Sequence, residues 1–208
     1  FIVENGGAIF IPKAYFPFPL DYHKVVDDLL AIELGISSEK VRELLDKIKK
    51  EGFRFSGFGD MSAAEIAKLT GLNIEFAKLA KQREYDEPVV IAVSQSPEHS
   101  EGEAKQSHIT LEEIDKFLEK VREAGLNWAR GGRFYHIMGG NGKGKAVEIL
   151  SGLYRKMWGK IKTIGLGDSL NDFPMLSLVD TPILVQKRDY SWEDINLPHL
   201  RKVQGVGP

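Results

Sequence analysis

The sequence contains no cysteine, which removes disulfides, thiolate metal sites and thiol nucleophiles together and fits a reducing compartment, the cytoplasm. Long apolar runs are missing too. The longest, over 88–93, falls far short of the ~18–20 residues a bilayer requires, so neither a transmembrane helix nor a membrane partner is expected. There is no basic excess: 28 Lys plus Arg face 30 Asp plus Glu, a net charge of −2. Affinity from neutralising many phosphates needs such an excess, so nucleic acid is not an expected partner. The start, Phe1-Ile2-Val3-Glu4-Asn5-Gly6-Gly7, has no initiator methionine, basic leader or cleavage site, and the expectation is that native sequence precedes Phe1.

What is present suits a folded globular chain. Hydrophobic residues make up 42% and charged ones 28% of 208 residues, enough for one large domain or two small ones. Composition leaves the oligomeric state open. Strand-like and helix-like segments alternate, which points to an α/β protein. A strand is expected over 8–12. The stretch 12–19, with three prolines and three aromatics, cannot continue a ladder and marks the first domain boundary. Ser38 opens an amphipathic helix carrying Val41, Leu44, Leu45 and Ile48 and ended by Gly52, and a strand follows over 53–58. Ser62 with Glu65 forms a capping box before a helix ended by Gly71; a second short helix spans 74–82. A buried strand over 89–93 and a polar loop over 94–107 follow, and Thr110 then caps a helix with the stripe Leu111, Ile114, Phe117, Leu118 and Val121. Strands over 126–129 and 134–138 are joined through Gly131-Gly132. From Gly139 onward the pattern becomes helix (144–158), strand (162–166), polar loop, short helix and strand (182–185). That is the grammar of a Rossmann-like parallel sheet, whose ligand site lies off the carboxyl ends of the strands. The reading is a core of 1–14 and 139–208 with an inserted α+β domain over 15–138.

Three constellations can carry chemistry. Gly167-Asp168-Ser169-Leu170-Asn171-Asp172 follows an apolar strand directly, and its two carboxylates and amide are hard oxygen ligands suited to Mg²⁺ shared with a substrate phosphate. Equally, Asp, Ser and Asn are ordinary turn and cap residues. Asn141-Gly142-Lys143-Gly144-Lys145-Ala146 joins a strand to a helix, where backbone N–H groups and an ammonium make an anion site. Lys143 sits in the turn and can point over the strand ends, whereas Lys145 suits a solvated helix face. The same stretch nearly matches a P-loop, with Gly139, Gly144 and Lys145 in register, but Ala146 lacks the hydroxyl that holds Mg²⁺. A nucleotide-hydrolysing protein therefore stays as an alternative. The third set is Arg83-Glu84-Tyr85-Asp86-Glu87-Pro88 with Arg130-Gly131-Gly132-Arg133-Phe134-Tyr135-His136, which reads either as a substrate face or as surface ion pairs at a helix end. His23, His99, His108 and His199 have no ligand-like spacing.

Together these residues resemble the haloacid dehalogenase phosphatase superfamily, in the branch with an α/β cap inserted after the second motif. Gly167-Asp168-Ser169-x-Asn171-Asp172 is similar to the fourth motif, and Lys143-Gly144-x-Ala146 to the third. Glu4-Asn5-Gly6, the 83–88 segment and the 131–136 segment resemble a subfamily acting on a phosphorylated sugar-glycerate. The resemblance implies a Mg²⁺-dependent phosphatase working through an aspartyl-phosphate. Lys143, Asp168 and Asp172 are then catalytic; Asp168, Asn171 and Asp172 face the metal; Arg83, Glu84, Arg133, His136, Lys143 and Ser169 bind a small phosphorylated sugar acid. The family's first motif, D-x-D, which supplies the nucleophile, and its second are absent from the chain, so these 208 residues by themselves are expected to be inactive or only to bind sugar phosphate.

Overall fold

In a computed structural model, described for residues 1–91, 110–131, 133–187 and 189–205, the chain forms two compact units, Phe1–Ile36 with Gly140–Pro208, and Ser37–Gly139. The expected polar loop over 94–107, with His99 and His108, lies outside the described residues.

The first unit opens with β1 (Ile2–Val3), β2 (Ala8–Pro12), β3 (Lys24–Val26) and β4 (Leu29–Glu33), an antiparallel sheet in the order β1-β2-β4-β3. Glu4, Asn5 and Gly6 all turn left-handed between β1 and β2, with φ of 46°, 55° and 86°. Asn tolerates that region and Gly prefers it. The proline-rich stretch is not the boundary that the sequence suggested. Beyond it, β4 pairs with β2 from Ala8↔Glu33 to Pro12↔Leu29, and Phe16 is buried with Ile9, Ile11 and Ala146. Apolar burial of the aromatics thus holds 15–36 in the first unit, and the chain leaves it at Ile36.

The second unit comprises α1 (Ser38–Lys50), β5 (Phe55–Gly57), α2 (Ala63–Thr70), α3 (Ile74–Lys81), β6 (Asp86–Ile91), α4 (Leu111–Glu123), β7 (Asn127–Gly131) and β8 (Phe134–Met138). Its four strands form an antiparallel sheet ordered β5-β6-β8-β7. Helix α1 opens at Ser38 as expected, and Ser37 caps it, accepting from the Lys40 amide at 3.3 Å. Ser62 with Glu65 and Thr110 with Glu113 build the capping boxes of α2 and α4. Helices α1 and α4 pack on one sheet face, where Phe55 meets Phe117 with ring centroids 4.8 Å apart. Leu111 is 80% exposed and does not belong to the buried α4 stripe. Strand β6 begins at Asp86, earlier than its β-branched run, because Asp86 and Glu87 are buried.

Back in the first unit follow α5 (Lys143–Trp158), β9 (Ile164–Gly167), α6 (Phe173–Leu176), β10 (Thr181–Val185) and β11 (Arg201–Val203). Strands β9, β10 and β11 form a parallel sheet ordered β11-β10-β9. Exposed Arg201, Lys202 and Val203 gave β11 no apolar signal in the sequence. Helix α5 lays Ala146, Leu150, Leu153 and Tyr154 against Ile9 and Ile11, while Leu176, Leu184 and Ile195 form a second cluster. Among the described residues no helix is long and apolar enough to cross a membrane.

Candidate active site

In the first unit the carboxyl end of β9 turns sharply into the segment 168–172. Gly167 permits this, since a Cβ there would lie 2.4 Å from the Asp172 Cβ. The Asp172 Oδ2 then accepts from the Asp168 amide at 3.1 Å and the Ser169 amide at 3.4 Å, with the Ser169 hydroxyl 3.2 Å away. Its Oδ1 receives the Lys143 ammonium at 2.6 Å. The Ser169 Oγ lies 2.5 Å from the Asn171 Oδ1. Asp172 is buried, whereas Asp168 projects its carboxylate into solvent at the strand end.

Lys143 reaches this turn because α5 starts against it. The N-cap is Gly142, with no side-chain cap, and the first turn of α5 contains no acidic residue, so its N–H groups and dipole remain available to an anion. Two close approaches fix the helix start: a Cβ on Gly6 would lie 2.4 Å from the Gly142 carbonyl oxygen, and one on Gly144 would lie 2.7 Å from that of Pro174. Lys145 is exposed and Ala146 is fully buried. The lysine that enters the site is therefore Lys143, which disfavours the P-loop arrangement. Asn141, which carries no role in the sequence analysis, is 4% exposed with both amide atoms unpartnered, packed beside Gly35. Only its place in the motif could have marked it.

The donor set suits a hard cation in part. Among the described residues no three His, Cys, Asp or Glu side chains cluster. The turn gathers Asp168, Asn171 and Asp172, but both Asp172 oxygens and the Asn171 oxygen already face protein donors, leaving the Asp168 carboxylate directed outward. One carboxylate with substrate phosphate and waters is a normal Mg²⁺ environment.

In the second unit, Arg83 and His136 meet through Asp86. Arg83 Nη1 donates to Asp86 Oδ1 at 2.8 Å, and His136 Nδ1 lies 2.9 Å from Asp86 Oδ2. Burial pushes the Asp86 carboxyl up, but the His136 hydrogen bond and the Arg83 charge outweigh it and hold the carboxyl below its ordinary value. Ser38 anchors this corner, donating from its amide to the Glu84 carbonyl at 2.7 Å and from its hydroxyl to that of Arg83 at 2.8 Å. Glu84 and Arg133 have exposed side chains. Glu87 points to the opposite sheet face, where it accepts from Arg42 Nε at 2.8 Å and from the Gly59 amide at 2.6 Å. Asp86 and Glu87 are 0% and 2% exposed, so these are not surface ion pairs at a helix end; β6 carries them inside. His23 and His199 are exposed.

A parallel strand ending in Gly-Asp-Ser-x-Asn-Asp, with a Lys-Gly pair opening the adjacent helix and bonded back to that turn, accompanies a match to the haloacid dehalogenase-like hydrolases. Residues 25–191 match that family, and the chain belongs to it. Its relatives include a glucosyl-3-phosphoglycerate/mannosyl-3-phosphoglycerate phosphatase of Methanococcoides burtonii, 46% identical over 211 residues, spanning 100% of this chain and 71% of the relative. A protein of the same name from Persephonella marina is 37% identical over 209 residues, with coverages of 100% and 71%. Mannosyl-3-phosphoglycerate phosphatase of Pyrococcus horikoshii is 39% identical over 186 residues, covering 89% of this chain and 67% of that one.

Proposed function

We propose that the protein is a phosphoric monoester hydrolase that uses Mg²⁺ to release phosphate from a sugar-phosphoglycerate of the mannosyl-3-phosphoglycerate kind, acting in the cytoplasm on a small molecule. The observation that carries this reading is the 2.6 Å pairing of Lys143 with Asp172 at the uncapped start of α5, beside the Asp168 carboxylate. The relatives' names supply the substrate class.

In this reading the substrate phosphate lies against the first turn of α5. Its charge is offset by the helix N–H groups and by Lys143, without which a carboxylate nucleophile and a phosphate would repel at contact distance. Asp172 holds the lysine through one oxygen and the 168–169 turn through the other. Ser169 and Asn171 stiffen the turn. Asp168 is the residue of this chain that would hold Mg²⁺, which when bound neutralises phosphoryl oxygens. The aspartyl-phosphate route that family resemblance implies also requires an attacking carboxylate, a role assigned to none of the residues named here. Arg83, Glu84, Arg133 and His136 are assigned to the sugar-glycerate part.

The test is phosphate release from mannosyl-3-phosphoglycerate by the native protein and by Asp168→Asn, at saturating Mg²⁺ and after chelation. The expected result is loss on chelation and a drop of about 10²–10³-fold in the variant. Unchanged turnover in Asp168→Asn would contradict the reading.

A further inference from the structure

Glu87 is buried on the sheet face opposite Asp86, and the phosphatase reading gives it no task. With Arg42 it lines a cavity of about 130 Å³ inside the second unit, between α1 and the turn at 58–60. A cavity of roughly 150 Å³ accommodates benzene, so a small ligand fits this one. Positions 42, 45, 46 and 49 recur at helical spacing, and α1 thereby turns Arg42, Leu45, Asp46 and Lys49 to the cavity together. Phe55 supplies an aromatic ring from the sheet.

The charged groups around it are held in place. Glu87 Oε1 accepts from the Gly59 amide at 2.6 Å, and Oε2 accepts from Arg42 Nε at 2.8 Å. Only glycine fits this packing: a Cβ on Gly57 would lie 2.4 Å from Glu87 Oε1, and one on Gly59 would lie 2.6 Å from Arg42 Nε. The guanidinium is therefore clamped through Nε, while among the described residues its two terminal amino groups meet no acceptor. On the acidic wall, Asp60 Oδ2 accepts from the Gly57 amide at 2.8 Å and from Lys49 at 2.6 Å. Burial pushes the Asp60 carboxyl up, but those hydrogen bonds outweigh it and hold the carboxyl below its ordinary value, so it stays ionised. Asp46 Oδ1 is 3.9 Å from the Lys49 ammonium, beyond hydrogen-bond reach.

The capacity left over defines the ligand. A guanidinium fork takes a carboxylate, and the oxygens of Asp46 and Asp60 take a positively charged donor. Two cations stand against three carboxylates around the cavity, so a simple anion is disfavoured, and a simple cation leaves the fork unserved. We propose that this cavity binds a small amino acid as its zwitterion, the carboxylate on the terminal amino groups of Arg42, the ammonium toward Asp46 and Asp60, and the side chain against Phe55 and Leu45. Glu87 is the positioning residue that aims the guanidinium.

The experiment is a titration of the native protein at about pH 7, followed through the backbone ¹H–¹⁵N resonances of Gly57 and Gly59, whose amides bond to the cavity carboxylates. Glycine, L-alanine and L-serine are added separately, with lactate, ethylamine and L-phenylalanine as controls that lack the ammonium, lack the carboxylate or exceed the volume. The expected result is saturable movement with at least one of the three small amino acids and none with the controls. Asp46→Asn, at an exposed position, is expected to fold normally and to weaken that amino acid by about tenfold or more. Arg42→Lys keeps a cation for Glu87 but has no fork, and is expected to lose the binding. Resonances indifferent to all three amino acids, an equal response to any control, or unchanged affinity in Asp46→Asn or Arg42→Lys would each overturn the site. Arg42 and Asp46 have no part in the proposed phosphate release, so either reading can fail without the other.

Discussion

Lys143 and Asp172 stand 29 positions apart in the chain, and the lysine ammonium lies 2.6 Å from the aspartate Oδ1. The pair ties the start of α5 to the turn after β9. Replacing Lys143 by Ala leaves a largely buried carboxylate short of one donor, though the Asp168 and Ser169 amides remain. The expected loss is about 1–3 kcal/mol, read from urea unfolding.

Glycine substitutions should split by position. Gly6→Ala brings a methyl group 2.4 Å from the Gly142 carbonyl oxygen at a φ of +86°. Overpacking and backbone strain together predict a loss of about 2–4 kcal/mol. Gly152, inside α5 with no atom near its Cβ position, should gain about 0.5–1 kcal/mol as Ala. Denaturant midpoints check both.

The amphipathic helix α4 offers a sharper contrast. Phe117 is 1% exposed and Leu111 is 80% exposed. Phe117→Ala should destabilise the second unit by about 3–5 kcal/mol, and Leu111→Ala should stay within about 0.5 kcal/mol. Equal effects would mean that the helix packs in another register.

Local signals in the sequence carried a large part of the fold, and their failures have physical causes. The capping box at Ser62 and the cap at Thr110 marked α2 and α4 because such hydrogen bonds are encoded within four residues, and the structure adds Glu113 to complete a box at Thr110. The prolines over 12–19 suggested a linker because they forbid a ladder, yet Phe16 and the return of β4 along β2 are long-range facts. Likewise, Lys143 and the 168–172 turn were legible because each is a short motif, but their bond is not visible in either motif alone. Asp86 and Glu87 looked like surface charges, because nothing local reveals that Arg83, His136 and Arg42 will pair with them.

Asp86 makes stability depend on pH. Its folded carboxyl lies below the ordinary value of 3.8, so the stabilisation it supplies is fully present above that value and is lost as pH falls through the folded one. Asp86→Asn should be less stable than the unmodified chain at about pH 6 by roughly 1–3 kcal/mol. The gap should narrow as pH falls below 3.8, as the carboxyl takes up its proton. Unfolding curves at about pH 6 and at successively more acid pH test this, and a gap that widens in acid would reverse the assignment.

The most direct measurement of the site is phosphate release from mannosyl-3-phosphoglycerate by Lys143→Ala and Lys145→Ala versions of the native protein, both at saturating Mg²⁺. Lys143 bonds to Asp172 while Lys145 is exposed on α5. The predicted result is a fall of about 10²–10³-fold for Lys143→Ala and little change for Lys145→Ala. The opposite order, with Lys145 indispensable and Lys143 dispensable, would contradict the account.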